Sequence, residues 1–317
     1  MTIDRLTYRH RRRGLDHDWF IHESTFKRPA IAWPGHKRIA LWITVPIEFF
    51  PLDAPTLPVR PLGGLDRGYP DFWGYSNRDY GTRIGVYRIM RVLDALGLRA
   101  TAAVNAVVAT HYPRIIQEIV RRNWEIVANG IDMGHVHHGK LELEKERELI
   151  QRARDTLSKS SGKRIAGWHS PGHSESTNTL ALLAENAFEY VADWANDDLP
   201  YMMKTAAGPL CAMPLTHEWS DRVLLLQHNL TIEDYEAQVL HAFYRLCAEA
   251  ERYESGRILS LSISPWITGY PHRISALERI LAKVLDTESV WHETGLEIVQ
   301  VFKNQTPAAE KQAAATT

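Results

Sequence analysis

Short apolar runs alternate with helix-spaced apolar patterns along most of this chain. The first run, RIALWITVP, begins at Arg38 and is continuous and rich in β-branched residues, as in strands buried on both faces of a parallel sheet. From Gly85 to Leu96 the apolar residues recur at helical spacing, and Gly97 supplies a typical helix stop. Repeated about seven times, this alternation predicts an α/β fold built on a parallel barrel or an open parallel sheet.

The same patterns give approximate bounds for the other elements. Further strands are predicted at 99–104, 124–128, 165–168, 190–192, 211–214 and 258–263, and helices at 112–122, 142–158, 179–186, 232–254 and 273–285, with 290–301 closing the fold. Residues 51–80 are rich in Pro and Gly and are predicted to be a loop. We expect an N-terminal arm over 1–36, one barrel domain over 37–303 and a disordered tail over 304–317.

Composition excludes several classes of partner. A formal net charge of -1 gives no electrostatic case for nucleic acid or anionic membrane. Cys211 and Cys247 lack CxxC spacing and fit a reducing compartment. The start, MTIDRLTYRHRRR, lacks the apolar region of a signal peptide. We therefore expect a cytoplasmic protein that binds a small molecule, and the aromatic-rich arm suggests a homo-oligomer.

The densest group of reactive side chains follows the third predicted strand. The stretch EIVANGIDMGHVHHGK runs from Glu125 to Lys140 and holds His135, His137 and His138 within four residues. Imidazole is the side chain most used for metal ligation and for proton transfer near neutral pH. The stretch therefore predicts a catalytic or metal-binding loop.

Polar residues also follow the other predicted strands. Glu48 follows the first, His169 the fourth, Asp193 the fifth and Trp266 the last of the seven. In α/β barrels the catalytic groups lie at the carboxyl ends of several strands. Because no GxGxxG, GxxxxGK[ST] or GxSxG sequence is present, nucleotide-binding folds and α/β-hydrolases are disfavoured.

Four segments together resemble the polysaccharide deacetylase superfamily, and within it the branch of allantoinases and related cyclic-amide hydrolases. They read DYGTRIGVYRIMRVLDALGLRATAAVNA, YPRIIQEIVRRNWEIVANGIDMGH, GWHSPGHSESTNTLALLAENAFEYVADWANDDLPY and SPWITGYPHRI. The resemblance spans roughly residues 38–302. It implies a distorted (β/α) barrel with fewer than eight strands. It also implies hydrolysis of a non-peptide C–N bond by a metal-activated water or by a water held by carboxylate and histidine.

This chain departs from the pattern of that superfamily at its functional positions. Glu48 stands alone where paired aspartates are usual, and Asn129 and Met133 replace the two metal-binding histidines. His169 occupies the place of an arginine, and Ser264 that of the late catalytic histidine. Amide and thioether groups are poor substitutes for imidazole at zinc.

Three hypotheses remain open from the sequence. In the first, a zinc ion has moved to His135, His137 or His138, together with Glu48 or His169. In the second, no metal is used, and a carboxylate or imidazole activates water while a neighbouring histidine or a backbone N–H holds the oxyanion. In the third, the barrel has lost catalysis and binds a small molecule or a partner.

The residues suggest a role for each candidate. Glu48 is predicted to be the general base, His169 to stabilise the oxyanion as imidazolium, and His135 to belong to the pool of proton donors or metal ligands. The predicted substrate-binding residues are Asn129, Asp132, Trp168, Asp193, Asp197 and Trp266. The predicted reaction is hydrolysis of a small, polar, cyclic amide or ureide. The alternatives are deacetylation of an N-acetyl sugar or other small amide, and an inactive binding barrel.

Overall fold

A curled sheet of nine strands forms the centre of the molecule in a computed structural model that describes residues 17–20, 22–52 and 70–306. Its strand order is β6-β7-β5-β4-β3-β2-β1-β8, with β9 paired to the beginning of β1. All pairings are parallel except that between β6 and β7. With its surrounding helices the sheet makes a distorted, incomplete (β/α) barrel, which confirms the predicted fold class.

The strands are β1 (Ile39–Ile47), β2 (Thr101–Val104), β3 (Glu125–Ala128), β4 (Gly167–Trp168), β5 (Tyr190–Val191), β6 (Tyr201–Thr205), β7 (Gly208–Ala212), β8 (Arg257–Ser262) and β9 (Val290–His292). The α-helices are α1 (Phe72–Tyr80), α2 (Val86–Ala95), α3 (Ala106–His111), α4 (Pro113–Arg121), α5 (Leu143–Ser161), α6 (Thr179–Glu185), α7 (Ile232–Arg252), α8 (Pro271–Leu285) and α9 (Gly295–Gln305). Two π-helical segments cover Gly81–Gly85 and Arg222–Gln227.

Strand β1 shows how the two faces of the sheet are used. Its odd-numbered residues, such as Ile43 and Ile47, pack in the main core beneath the helices. Its even-numbered residues, such as Ala40 and Trp42, belong to a second apolar cluster inside the barrel. Successive side chains of a strand point to opposite faces, so Glu48, just past the end of β1, falls on the inner face.

The structure contains elements that the sequence patterns missed. The seven predicted strands are present, and β9 adds an eighth parallel strand. The segment between β5 and β7 contributes β6, which pairs antiparallel with β7 across a two-residue turn. In the predicted loop 51–80, residues 72–80 form helix α1, begun by Asp71, whose side chain accepts a hydrogen bond from the backbone N–H of Gly74. This N-cap stabilises a helix whose own sequence is a weak helix former.

The two chain ends were predicted as an arm and a tail. Residues 1–16 and 307–317 lie outside the described residues, as does 53–69 of the predicted loop. Helix α9 extends to Gln305, so the start of the predicted tail is helical. Within the described residues, no helix is both long and apolar enough to cross a membrane.

Three glycines allow the loop after β8 to lie directly on the junction between α1 and α2. A Cβ atom on Gly85 would come 2.0 Å from the carbonyl oxygen of Pro265, and one on Gly269 would come 2.4 Å from Cα of Gly85. At Gly81 the obstacle would be the backbone nitrogen of Trp266, at 2.8 Å. Only glycine permits this close backbone approach, which fixes the position of Trp266.

We expect Gly85→Ala to lower the free energy of unfolding by about 3 kcal/mol, because the added methyl group meets backbone atoms that cannot move aside easily. Chemical denaturation measures the change. The matched control is Gly139→Ala, since a Cβ there meets nothing within 4 Å, and it should change stability by less than about 0.5 kcal/mol. Equal stability of the two variants would contradict the close packing at Gly85.

Candidate active site at the barrel mouth

Four polar residues occupy one register row just past the ends of neighbouring strands. Strand pairing aligns Ile47, Val104, Ala128 and Trp168, and the row that follows consists of Glu48, Asn105, Asn129 and His169. All four side chains are buried. Because side chains in one row of a parallel sheet point to the same face, these four face the inside of the barrel. We call the end of the barrel that they define the mouth.

Glu48 is held in the mouth by a cation and an indole. Its Oε2 accepts hydrogen bonds from Arg222 Nη2 at 2.5 Å and from Trp266 Nε1 at 3.3 Å. The Arg222 guanidinium also lies over the Trp266 ring, 5.6 Å from its centroid. A charge-assisted hydrogen bond of this kind fixes both side chains, and it places a positive group beside the predicted base.

Arg222 was not among the residues predicted from the sequence. It is the first residue of the π-helical segment, and the preceding Asp221 is fully buried. Asp221 Oδ2 accepts from the backbone N–H of Ser264 and from Thr268 Oγ1, both at 2.7 Å. These bonds tie the segment to the loop after β8 and so aim Arg222 at Glu48. Single-turn π-helices are frequent at functional sites, but an arginine before a leucine-rich run gives no such signal in a sequence.

His169 is buried, with 6% of its surface exposed. Neither ring nitrogen has a hydrogen-bond partner in the described part of the chain. Burial, reinforced by the positive charges of Arg222 and His217, lowers the pKa of His169 to about 3. The ring is therefore neutral near pH 7, which contradicts the prediction that it acts as an imidazolium. Arg222 supplies the cation of the mouth instead.

Two further imidazoles pack beside His169. The ring centroids of His169 and His173 are 4.4 Å apart, and those of His173 and His217 are 4.3 Å apart. His173 has φ +54° and follows Gly172 with φ +67°, so the Ser170-Pro-Gly-His turn folds the second ring back onto the first. Burial and the neighbouring charges hold the pKa of His173 well below its usual value. The sequence signal for this pair was the four-residue spacing in HSPGH.

Asp193 lies opposite Ser170, one position past the row of Glu48, Asn105, Asn129 and His169. Its Oδ1 accepts a hydrogen bond from the Ser170 backbone N–H at 2.6 Å, and its carboxylate is also hydrogen-bonded to the Glu175 carboxyl. Burial raises the pKa of Asp193 to about 6. Burial together with the charge of Asp193 raises the pKa of the adjacent Glu175 to about 10. Near pH 7 Glu175 therefore carries a proton and Asp193 is the ionised partner.

Asn129 is fully buried in the mouth between Asn105 and His169. Its backbone carbonyl accepts from the side chain of Asn105. Its own side-chain oxygen and nitrogen have no partner among the residues that the structure describes. An unpaired buried amide costs about 1–3 kcal/mol per group, and such groups in a native fold call for an explanation.

The three histidines of the 135–138 stretch do not converge. His135 is exposed, with Nδ1 2.7 Å from Asp132 Oδ1. His137 is buried, and its Nδ1 lies 2.9 Å from Glu146 Oε1 in helix α5. His138 is exposed and accepts a hydrogen bond from a backbone N–H of its own loop. The predicted metal loop is therefore a loop attached to α5 through one histidine, because each ring already has a different local partner.

Two predicted substrate-binding residues make their described contacts with groups outside the row of the mouth. Trp168 is buried on the outer face of the sheet, where its ring packs against those of His137 and Phe188. Asp197 forms a salt bridge with Arg28 and accepts from a backbone N–H of its own turn. Period-two alternation places Trp168 on the opposite face from its neighbour His169, which the sequence analysis overlooked.

The metal positions implied by the family resemblance do not fit a metal here. Met133 is fully buried, and Asn129 offers only a neutral amide. Thioether and amide groups do not replace the two imidazoles that a zinc site of that kind needs. No step of a reaction is therefore assigned to a metal at these two positions.

Comparison with known proteins agrees with this architecture. Residues 75–191 match the family model described as polysaccharide deacetylase. A Schizosaccharomyces pombe protein named as a polysaccharide deacetylase is 21% identical over 248 residues, covering 72% of this chain and 76% of its own. The crystal structure of Puue allantoinase superposes with a TM-score of 0.78 at 25% identity, covering 89% of this chain and 95% of that one. A Pseudomonas aeruginosa PAO1 structure that bears the polysaccharide deacetylase name gives a TM-score of 0.78 at 24% identity, with coverages of 88% and 96%.

We expect Glu146→Gln to lower the free energy of unfolding at pH 7 by about 2 kcal/mol, because a buried carboxylate with charged or polar donors is removed. Glu146 accepts from Ser176 at 2.5 Å and Thr179 at 2.6 Å and pairs with His137. Burial opposes its ionisation, but these bonds outweigh burial and keep the pKa of Glu146 below its usual value.

A carboxylate with a lowered pKa stabilises the fold above its unfolded pKa, near 4.5, and loses that contribution as the pH falls further. Denaturation measured at a series of pH values from 7 downwards gives the free energy of unfolding at each pH. This free energy should fall less with decreasing pH for Glu146→Gln than for the wild type. Glu148→Gln, on the exposed side of the same helix, is the control and should retain the wild-type stability at pH 7. A variant Glu146→Gln as stable as that control would contradict the role of this network.

Proposed function

We propose that this chain, which contains a polysaccharide deacetylase domain, hydrolyses a carbon–nitrogen bond of a small, polar, cyclic amide or ureide. The observation that carries the proposal is the fully buried Asn129 side chain, whose oxygen and nitrogen are both unpaired in the described structure. A primary amide offers N–H donors and a C=O acceptor side by side. An amide or ureide edge presents the complementary C=O and N–H pair, so it satisfies both halves of Asn129 at once.

Burial of the site favours a small substrate over a polymer. Glu48, Asn129 and His169 are all buried at the mouth, so a substrate has to enter the barrel to reach them. Small-molecule sites enclose most of the ligand surface and use a few polar groups to orient it. The structural likeness to Puue allantoinase supports the same class of substrate.

Hydrolysis of an amide requires a nucleophilic water, a group that stabilises the oxyanion and a proton for the departing nitrogen. We assign Glu48 as the acceptor of the proton lost by water, since its second oxygen is not engaged by Arg222 or Trp266. Arg222 is the cation beside it and stabilises negative charge on the carbonyl oxygen. After attack, the proton passes from Glu48 to the leaving nitrogen as the C–N bond breaks. Water thus adds across the ring bond, and the product is one acyclic molecule that carries both the new carboxylic or carbamic acid and the new amine or amide.

We expect the purified protein to hydrolyse at least one compound in a panel of cyclic ureides, imides and lactams. Chromatography measures the acyclic product. Glu48→Gln should lower kcat/KM by about 10²–10⁴-fold because the proton acceptor is lost. Glu118→Gln is the control, since Glu118 lies in α4 within a cluster of arginines away from the mouth, and its activity should match the wild type. Turnover of N-acetylated sugars alone would contradict the cyclic substrate, and binding of a ureide without turnover would contradict catalysis.

We expect Asn129→Ala to raise KM for that substrate by about 10–100-fold, because one or two hydrogen bonds to the substrate are lost. Thermal denaturation supplies the control in the same variant. Because the Asn129 side chain makes no bond in the described structure, its removal should not lower the melting temperature. A parallel loss of stability and activity would show a structural role for Asn129 and contradict its role in substrate binding.

A further inference from the structure

We propose that His169, His173 and Asp193 form a binding site for one divalent metal ion of the zinc type at the barrel mouth. Each of these three side chains offers one atom that can bind a metal, and the three atoms all lie within 4.8 Å of one another. Zinc bonds of about 2.0–2.1 Å in tetrahedral geometry put ligand atoms about 3.4 Å apart. Small side-chain rotations, of about 1 Å at the ligand atoms, therefore bring the group to bonding distance.

Unpaired atoms of the central imidazole point to a ligand. Both ring nitrogens of the buried His169 lack a partner in the described structure. The Asp193 carboxylate is oriented by the Ser170 backbone N–H and by the Glu175 carboxyl. Hydrogen bonds that orient a carboxylate ligand are usual around a metal site.

The ligand types and the local charge suit a zinc-type ion. Two imidazoles and a carboxylate are ligands that zinc accepts, and three protein ligands leave one position open for water or substrate. The positive charge of Arg222 does not exclude a cation, because Glu48 neutralises it at 2.5 Å. Asp193 contributes the negative charge among the ligands themselves.

The turn before His173 positions the second imidazole at some cost to the backbone. Gly172 and His173 both have positive φ, at +67° and +54°, and such a conformation costs a non-glycine residue of order 1 kcal/mol. The same Pro-Gly-His turn occurs at Pro34–His36, where Gly35 and His36 have φ of +68° and +59°. There the histidine is exposed, with no imidazole partner in the described contacts, which makes it a matched control for the turn alone.

The test is titration of the metal-free full-length chain with Co²⁺ and Zn²⁺, read by calorimetry and by the visible absorption of cobalt. We expect one Co²⁺ per chain with the intense bands of a four- or five-coordinate site, displaced by Zn²⁺. His173→Ala and Asp193→Asn should each weaken binding by at least about 100-fold. His36→Ala and His135→Ala should bind as the wild type does. Circular dichroism confirms that each variant is folded.

Failure of binding, or equal binding by His173→Ala and wild type, would overturn the site, and loss of binding in His135→Ala would place the metal in the 135–138 stretch instead. Use of the ion in catalysis would rest on the proposed hydrolase function, but its binding does not. Metal binding with the expected variant losses and no amide turnover would leave the site standing and refute the hydrolase. Amide turnover without any metal binding would refute the metal site and leave the hydrolase proposal standing.

Discussion

Parallel register is the constraint on which the candidate site depends. Because β1 to β4 run in the same direction and in step, the residue that follows each strand arrives at the same height and on the same face. A shift of one residue in any pairing would turn that side chain towards the helices. The apolar residues beneath, Val45 and Ile47 on the outer face and Trp42 on the inner face, fix the register through burial. The same packing that stabilises the barrel therefore assembles the mouth.

The mouth keeps polar groups unpaired at a cost to stability. Each buried donor or acceptor without a partner costs about 1–3 kcal/mol, whereas a whole domain is stable by about 5–15 kcal/mol. The unpaired atoms of Asn129 and His169 are therefore a large cost for one region. Hydrogen bonds beside the mouth hold its walls in place, as where Asp221 Oδ2 accepts from Ser264 and Thr268. Unpaired groups held in place by paired ones are the arrangement expected where a ligand completes the bonding.

The fold was largely predictable from the sequence because hydrophobic periodicity reports burial directly. The continuous apolar run of β1 and the helical spacing of α2 both correspond to elements of the structure. Strand β6 and helix α1 were missed because their stability comes from pairing with β7 and from the Asp71 cap. Both contributions depend on partners that a periodicity argument does not weigh.

The site was predictable only in part, since sequence order shows which residues follow a strand but not what each side chain contacts. Position after a strand singled out Glu48, Asn129 and His169 in the sequence, and the strand register puts them in one row. Their functional roles stay predictions. The density of histidines in the 135–138 stretch does not produce a cluster, because adjacent histidines on a loop point in different directions and contact different partners. Arg222 was missed because its placement depends on the buried Asp221 before it.

Charge distribution at the mouth decides which ligands it accepts. Glu48 and Arg222 form a pair with no net charge, and burial keeps His169 and His173 neutral. Asp193 then remains as the ionised group nearest the imidazoles, since the Glu175 carboxyl holds its proton. An anionic substrate would meet Asp193 in a poorly solvated site, where like charges repel strongly. A neutral amide beside Arg222 and a cation beside Asp193 are both electrostatically favourable. The two positions are close together, since the charge of Arg222 lowers the pKa of both His169 and His173. The two proposals therefore assign a polar, uncharged substrate and a positive ion to adjacent positions in one barrel mouth.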